Sequence, residues 1–414
     1  MDKSILHIEN QDFINNNLNT DSSTLLFKKH DGLSLDIKVL IEQIEAKKRC
    51  QKKLPTWFGT SNIYYPNKLN IEQTSSEITA KYKANLISGN SIIDLTGGFG
   101  VDSFYFSKHF KSVIHCEINK ELSQMVSHNY KQLGAEHIQT IAKDGLTFLK
   151  ESTLNFDWIY IDPSRRHDSK GKVFFLRDCL PNVPEHLHVL FEHSNNLMIK
   201  TSPLLDLSVG LKELKHVKTI HVVAVNNEVK ELLWMLEKEM HTEDVQIETI
   251  NIKNKDNQYF GFRFQDETQA QSKWSLPLNF LYEPNAAILK SGGFHSVSKQ
   301  FQLKKLHQHS HLYTSNDLME FPGRRFKIED ILPFNKKAFK KAAIAKANIT
   351  TRNFPESVDS IRKKLNLKDG GNTYIFATTN LENKKILIVC SKLSRNESFC
   401  IFEKKLNRVK SSII

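Results

Sequence analysis

The chain has no apolar run approaching the roughly 18 residues that a membrane-spanning helix needs, which excludes a helical membrane protein on sequence grounds. Its polar start, Met1-Asp2-Lys3-Ser4, does not look like a secretion signal. Cysteine is sparse: Cys50, Cys116, Cys179, Cys390 and Cys400 show neither C-x-x-C spacing nor an even framework, so a disulfide scaffold and a cysteine-built metal centre are both disfavoured. A reducing cytoplasm is the expected compartment. Histidine offers little more. His307, His309 and His311 alternate as on one strand face, but no cysteine or acid stands nearby to complete a metal site, and an ordinary exposed strand is expected.

Acidic charge is scarce only in the last third. From Leu281 onward 25 Lys plus Arg face 11 Asp plus Glu, whereas the residues before it hold 33 against 35, so the net +12 of the 414 residues is C-terminal in origin. Clusters such as Lys336-Lys337, Lys340-Lys341, Arg362-Lys363-Lys364 and Lys404-Lys405 suit a polyanion through counterion release, or else a plain solvated surface.

What is present is concentrated at Ile92-Ile93-Asp94-Leu95-Thr96-Gly97-Gly98-Phe99-Gly100-Val101-Asp102. An apolar strand runs there into a glycine-dense turn and then into helix-forming sequence from about Val101, the arrangement that lets backbone amides approach a nucleotide-type ligand. Ser112 to Cys116 reads as the next buried strand, closing at Glu117, which lies 23 positions after Asp94. That spacing suits a carboxylate accepting ribose hydroxyls, and hence an adenosine-bearing cofactor. Asn119 caps a following helix whose Leu122, Met125, Val126, Tyr130 and Leu133 share one face before Gly134 ends it. His137 to Ala142 delivers Asp144-Gly145, and Phe156 to Ile161 delivers Asp162-Pro163. Consecutive βα units imply a parallel sheet. A nicotinamide dinucleotide is the rival ligand, but Ser103 breaks the last position of G-x-G-x-x-G and no second mononucleotide half follows.

Asp162 stands where open parallel sheets place their ligands, able to orient an amine or hydroxyl or to receive its proton. Arg165 and Arg166 beside it favour an anionic substrate, because guanidinium groups pair with phosphate and stack on bases; an ion pair with Asp168 or Asp178 is the alternative. Later segments read as a strand at Asn196 to Lys200, a helix capped by Ser202-Pro203, a strand at Thr219 to Val225, a helix around Glu228 to Glu237 and a late edge strand at Tyr259 to Phe264. The tail reads as a strand and helix around Tyr282-Glu283-Pro284-Asn285 with a stop at Gly292-Gly293, then helix, Ile349 to Arg352 strand, Val358 to Leu365 helix, and a strand pair at Thr373 to Thr379 and Lys384 to Val389.

The succession of glycine loop, Glu117, Asp144 and Asp162-Pro163 at four strand ends resembles the class I S-adenosylmethionine-dependent methyltransferases. The tail, through Tyr282-Glu283-Pro284-Asn285, Pro322-Gly323-Arg324-Arg325-Phe326 and Thr373 to Thr379, looks like the THUMP-like domain attached to a group of bacterial members. The resemblance implies an α/β fold: a Rossmann-like methyltransferase sheet preceded by a helical segment and followed by a basic α+β THUMP-like region. It implies S-adenosyl-L-methionine as cofactor, with Asp94, Thr96, Gly97, Gly98, Gly100, Glu117, Asp144 and Gly145 in its site. Thr74 and Ser75 resemble the segment covering the methionine end, and Ser/Thr capping of a helix with Glu77 completing a capping box can hold together with that role. Asp162, Arg165 and Arg166 would face the acceptor. In relatives that methylate nucleic-acid amino groups the motif continues Pro-Pro-aromatic; Ser164 and Arg165 hold the last two places here, which speaks against adenine-N6 chemistry. No Pro-Cys pair for pyrimidine-C5 chemistry occurs either, and Cys179 reads as packing.

The expected domains are an N-terminal helical region at 1–54, the methyltransferase domain at 55–268, a small ferredoxin-like α/β linker at 278–330 and the THUMP-like domain at 331–414. THUMP domains elsewhere bind RNA, so the expected activity is methylation of structured RNA, tRNA or rRNA, with RNA held through the basic tail and no membrane partner. A methyltransferase for a small molecule or protein, and a non-catalytic RNA-binding protein that retains a cofactor pocket, remain open.

Overall fold

The computed structural model describes residues 2–27, 35–165, 175–240 and 245–393, and the chain divides into two units, one formed by 1–220 and 230–242, the other by 221–229 and 243–414. In the first unit, helices α1 (Ile8–Asn16), α2 (Ser22–Phe27) and α3 (Ile37–Lys53) enclose a small core of Ile5, Ile14, Leu25, Leu40, Ile41 and Ile44. The apolar spacing of α3 puts Leu40, Ile41 and Ile44 on one buried face, as a 3.6-residue period requires. Helices α4 (Pro55–Gly59), α5 (Lys68–Gln73) and α6 (Glu77–Leu86) lead into the sheet.

The strands are β1 (Gly89–Asp94), β2 (Phe110–Cys116), β3 (Ile138–Ile141), β4 (Trp158–Ile161) and β5 (Asn196–Thr201), with β6 (Val217–Val225) and β7 (Glu228–Glu237) after them. Within the first unit the spatial order is β3-β2-β1-β4-β5-β7. Parallel pairing joins β1 to β2 and β4, β2 to β3 and β4 to β5, while β7 runs antiparallel to β5. Strand order therefore reverses at β1, and the carboxyl ends on either side of that switch are where such sheets hold ligands.

Helices α7 (Val101–Phe106), α8 (Lys120–Gln132), α9 (Gly145–Glu151), α10 (Val183–His193) and α11 (Leu207–Glu213) complete the unit. Its principal core gathers Trp57, Phe99, Phe104, Phe106, Tyr130 and Tyr160. Asn119 caps α8 by accepting from Leu122 N, and Gly134 follows it at φ +65°, as the sequence predicts.

Three local expectations are overturned. Glu228 to Glu237 is a strand, not a helix. Its run Leu232–Leu236 is continuously buried, with no helical stripe to expose, and pairs from Thr201↔Leu232 to Asn196↔Glu237. The helix after β5 is capped by Asp206, whose carboxylate accepts from Ser208 N and Val209 N, and not by Ser202. Glu77 does not close a capping box: it begins α6, after the N-cap Ser76, and its carboxylate instead accepts from Thr56 N, Thr56 Oγ1 and Tyr105 OH.

In the second unit a hairpin of β8 (Gln246–Ile252) and β9 (Gln258–Arg263) leads to α12 (Phe264–Gln269). Strands β10 (Phe280–Pro284), β11 (Lys304–Lys305), β12 (Tyr313–Ser315), β13 (Gly323–Pro333), β14 (Asn348–Arg352), β15 (Thr373–Thr379) and β16 (Lys385–Lys392) form a seven-stranded sheet ordered β11-β12-β10-β13-β16-β15-β14. Helices α13 (Ala286–Ser291), α14 (Phe294–Gln300), α15 (Lys336–Lys341) and α16 (Val358–Leu365) accompany it. Asn285 caps α13 and Gly292 ends it in the left-handed region.

His307, His309 and His311 do not share a strand face. His307 to Ser310 is a turn in which His307 bonds Asn383 and Asn353, whereas His311 stacks on Phe294. Among the described residues no His/Cys/Asp/Glu cluster is placed to hold a metal, and no helix is long and apolar enough to cross a membrane. Cys50, Cys116, Cys179 and Cys390 are free and buried; Cys400 lies outside the described residues.

Candidate methyltransferase site

β1 ends at Asp94, a carboxyl only 1% exposed, whose Oδ1 accepts from Thr96 N at 3.0 Å and whose Oδ2 accepts from Ser103 Oγ at 2.7 Å. Burial, against those two hydrogen bonds, pushes it up to about 7. The turn that follows is closed by Gly97 N donating to Cys116 O and Gly100 N donating to Gly97 O. Gly98 and Gly100 lie at φ +53° and +80°, where a side chain is strained. At Gly97 the requirement is contact: a Cβ there would enter the imidazole of His115, and one at Gly100 would meet Tyr130 OH. His115 is fully buried, neither ring nitrogen has a hydrogen-bond partner among the described residues, and burial pushes it down to about 4, so it is a neutral platform under the loop.

Glu117 is spread between two amides, Oε2 accepting from Gly98 N at 3.0 Å and Oε1 from Asn119 N at 2.7 Å. Each oxygen retains a lone pair for a hydroxyl. Asp144 caps α9 through Thr147 N and Thr147 Oγ1, both at 2.8 Å, and a Cβ on Gly145 would collide with Leu95 backbone, so α9 starts directly against the glycine turn. Asp162 N donates to Thr96 Oγ1 at 2.7 Å, tying the end of β4 to the same turn. Its carboxylate pairs with Lys200 at the end of β5. Arg165 is exposed, its backbone paired with Cys179; Arg166 lies outside the described residues.

These strand ends open onto one cleft of about 1030 Å³ in the first unit. Thr74, Ser75, Asp94, Thr96, Gly97, Gly98, Glu117, Asp144, Gly145, Asp162 and Arg165 all line it. Gly100 does not; it shapes the turn from behind.

Sequence reasoning missed the polar layer beneath the cleft. Lys83, fully buried on α6, reaches both Glu231 oxygens at 2.9 Å and Asp102 Oδ1 at 3.2 Å. Ser75 Oγ and Tyr160 OH donate to Asp102 Oδ2 at 2.7 and 2.8 Å. Burial is the largest influence on Asp102 and acts upward, but Lys83 and Lys200 with these hydrogen bonds bring it below the usual carboxylate range. Of these residues Ser75 was expected at the site, and Lys200, a cation ending an apolar strand, carried a further sequence signal.

The chain is 31% identical to a candidate methyltransferase from Porphyromonas gingivalis W83, and the two structures superpose with a TM-score of 0.86 over 95% of this chain and all of that one. The chain belongs to that family. It is a class I methyltransferase with a C-terminal THUMP-like domain, residues 280–322 matching a ferredoxin-like domain model and 323–392 a THUMP domain-like model. Partial likenesses extend to an rRNA methylase from Streptococcus thermophilus (16% identity, TM-score 0.29, 39% of this methyltransferase and 94% of that chain). TrmK of M. capricolum, solved with S-adenosyl-homocysteine, is comparable (17%, 0.29, 39% and 69%). Scores that low carry no weight for substrate or cofactor. No curated protein matches the methyltransferase.

The segments that carried the tail's resemblance meet one another in the second unit. Glu283 of Tyr-Glu-Pro-Asn is buried between Arg324 of Pro-Gly-Arg-Arg-Phe and Arg352 of β14.

Proposed function

We propose that this protein is a cytoplasmic S-adenosylmethionine-dependent methyltransferase of structured RNA, tRNA or rRNA. The observation that carries the reading is the single cleft onto which Asp144, Glu117, the glycine turn and Asp162 all open. The residues suit the donor. Glu117 has free lone pairs for ribose hydroxyls; the side-chain-free loop at Gly97 and Gly98 admits close backbone approach; Asp144 would hold the adenosine end, and Thr74 and Ser75 the amino-acid end. When bound, the donor supplies an electrophilic methyl group. The chain's contribution is alignment and shielding: Asp162 orients the acceptor by accepting its hydrogen bond, and Arg165, with Arg166, draws an anionic backbone to the rim.

Domains follow as proposed roles, with 55–268 carrying transfer, 278–330 and 331–414 carrying RNA, and 1–54 serving as an accessory. The excess of Lys and Arg after Leu281 supports that division. Two measurements test it. Calorimetric titration with S-adenosylmethionine should show binding at a single site. Labelled methyl groups should then pass to RNA from a strain lacking the protein, with mass spectrometry identifying the nucleoside. Donor binding without transfer to any RNA, but with transfer to the protein or small-molecule fraction of the same strain, would replace the RNA reading with another acceptor.

A further inference from the structure

The buried charges under the cleft do not cancel. Two ammonium groups, Lys83 and Lys200, stand among three carboxylates, Asp102, Glu231 and Asp162. Glu231 accepts from Lys83 on both oxygens, and Asp102 accepts from Ser75 and Tyr160 on Oδ2 while its buried Oδ1 faces the Lys83 ammonium as an ion pair. Asp162 differs. Lys200 occupies Oδ2, no donor among the described residues reaches Oδ1, and the side chain lines the cleft with 30% exposure. Of the other nearby cations, Arg165 and Lys230 are exposed on the lining, where solvent screening weakens them, and Lys53 lies off the lining, its ammonium donating to the Ile71 and Glu72 carbonyl oxygens and pushed down to about 8, chiefly by burial.

We propose that the leftover negative charge makes this floor a cation-preferring subsite, with Asp162 determining specificity for the donor's sulfonium and Lys200 positioning the oxygen that does so. The inference rests on the donor reading above. Two neighbouring groups register the same field. Burial would lower the Lys200 ammonium, but Asp162, Glu231 and Asp102 outweigh it and raise it above the ordinary lysine value. Asp94 on the same floor is raised chiefly by burial, with Asp102 and Asp162 adding to it. Methyl transfer leaves the former S–C bonding pair on sulfur as a neutral thioether, and the acceptor gains the methyl and releases one proton to solvent. The subsite therefore holds the charged donor and lets the spent one exchange.

The test is calorimetric titration of the full-length protein with S-adenosylmethionine and, separately, S-adenosylhomocysteine. The wild type should prefer the sulfonium by about tenfold, about 1.4 kcal/mol. Asp162→Asn should bring the ratio close to one while thioether affinity stays within about twofold. Lys200→Met, which adds net negative charge, should move the ratio the other way. A merely structural role weakens both ligands alike and leaves the ratio in place. If Lys200→Met does not fold, by circular dichroism, the rim variant Asp162→Asn decides alone. Equal wild-type affinities, or an unchanged ratio in Asp162→Asn, overturn this inference and spare the donor reading; binding of neither ligand overturns both.

Discussion

Ser103 Oγ donates a 2.7 Å hydrogen bond to Asp94 Oδ2, so the position at which a dinucleotide fingerprint would place its last glycine instead holds the acid at the end of β1. The departure from G-x-G-x-x-G thus has a structural purpose, because α7 begins one turn from a buried carboxyl that needs a donor. Replacing Ser103 by Ala removes that donor and should cost about 1–3 kcal/mol. Denaturant unfolding measures it, and unchanged stability would mean that Asp94 finds another partner.

Asp94 also makes a prediction about pH. Its folded value is raised from 3.8 to about 7, so its stabilising contribution is complete below the unfolded value and declines as pH rises through the folded one. Asp94→Asn lacks this titration. The wild type should therefore lose stability relative to Asp94→Asn between pH 4 and 7, by an amount on the order of a few kcal/mol. Unfolding midpoints of both proteins across that window check it, and parallel curves would contradict it.

Gly97 and His115 should behave as a coupled pair. Gly97→Ala drives a methyl into the imidazole and should destabilise by about 1–3 kcal/mol, with donor affinity falling more than about tenfold as the turn shifts. His115→Ala makes room at the cost of a cavity. In the double variant the two losses should sum to less than their separate values, the expected result for residues sharing one volume.

Glu117→Ala frees the amides of Gly98 and Asn119 at the solvent edge of the cleft. The Asn119 amide is exposed and the Gly98 amide is half-buried at the cleft, so the melting temperature should move by only a few degrees, roughly the effect of about 1 kcal/mol. S-adenosylmethionine affinity, in contrast, should fall by at least about tenfold, since two hydroxyl acceptors are lost. Normal calorimetric affinity would take the ribose role from Glu117.

In the second unit, Glu283→Gln leaves Arg324 and Arg352 without the carboxylate between them. The two guanidinium groups are about one-third exposed, so the cost should be about 2 kcal/mol, below that of a fully buried pair. Thermal unfolding of the full chain reads it. Restoring neutrality with Arg352→Gln in the same protein should recover part of the loss.

Sequence alone determined the strand ends. Apolar runs such as Ser91 to Leu95 and Phe156 to Ile161, followed at once by glycine, acid or proline, encode both the strand and the loop that must leave it, because each depends on near neighbours in the chain. The Asn119 cap, the Gly134 stop and the tail's alternation of helix and strand were legible for the same reason. Tertiary structure decided what the sequence could not. Lys83 and its partner Glu231 lie 148 residues apart, and nothing local to either announces the other. The run from Glu228 to Glu237 is spelled with good helix formers, yet it is a strand because β5 offers it a fully buried edge. Gly97 is required by the imidazole that β2 places beneath it, a neighbour its own loop cannot specify. Backbone propensity acts over a few residues, whereas the partner of a buried charge or a packed ring depends on which distant segment the fold brings alongside.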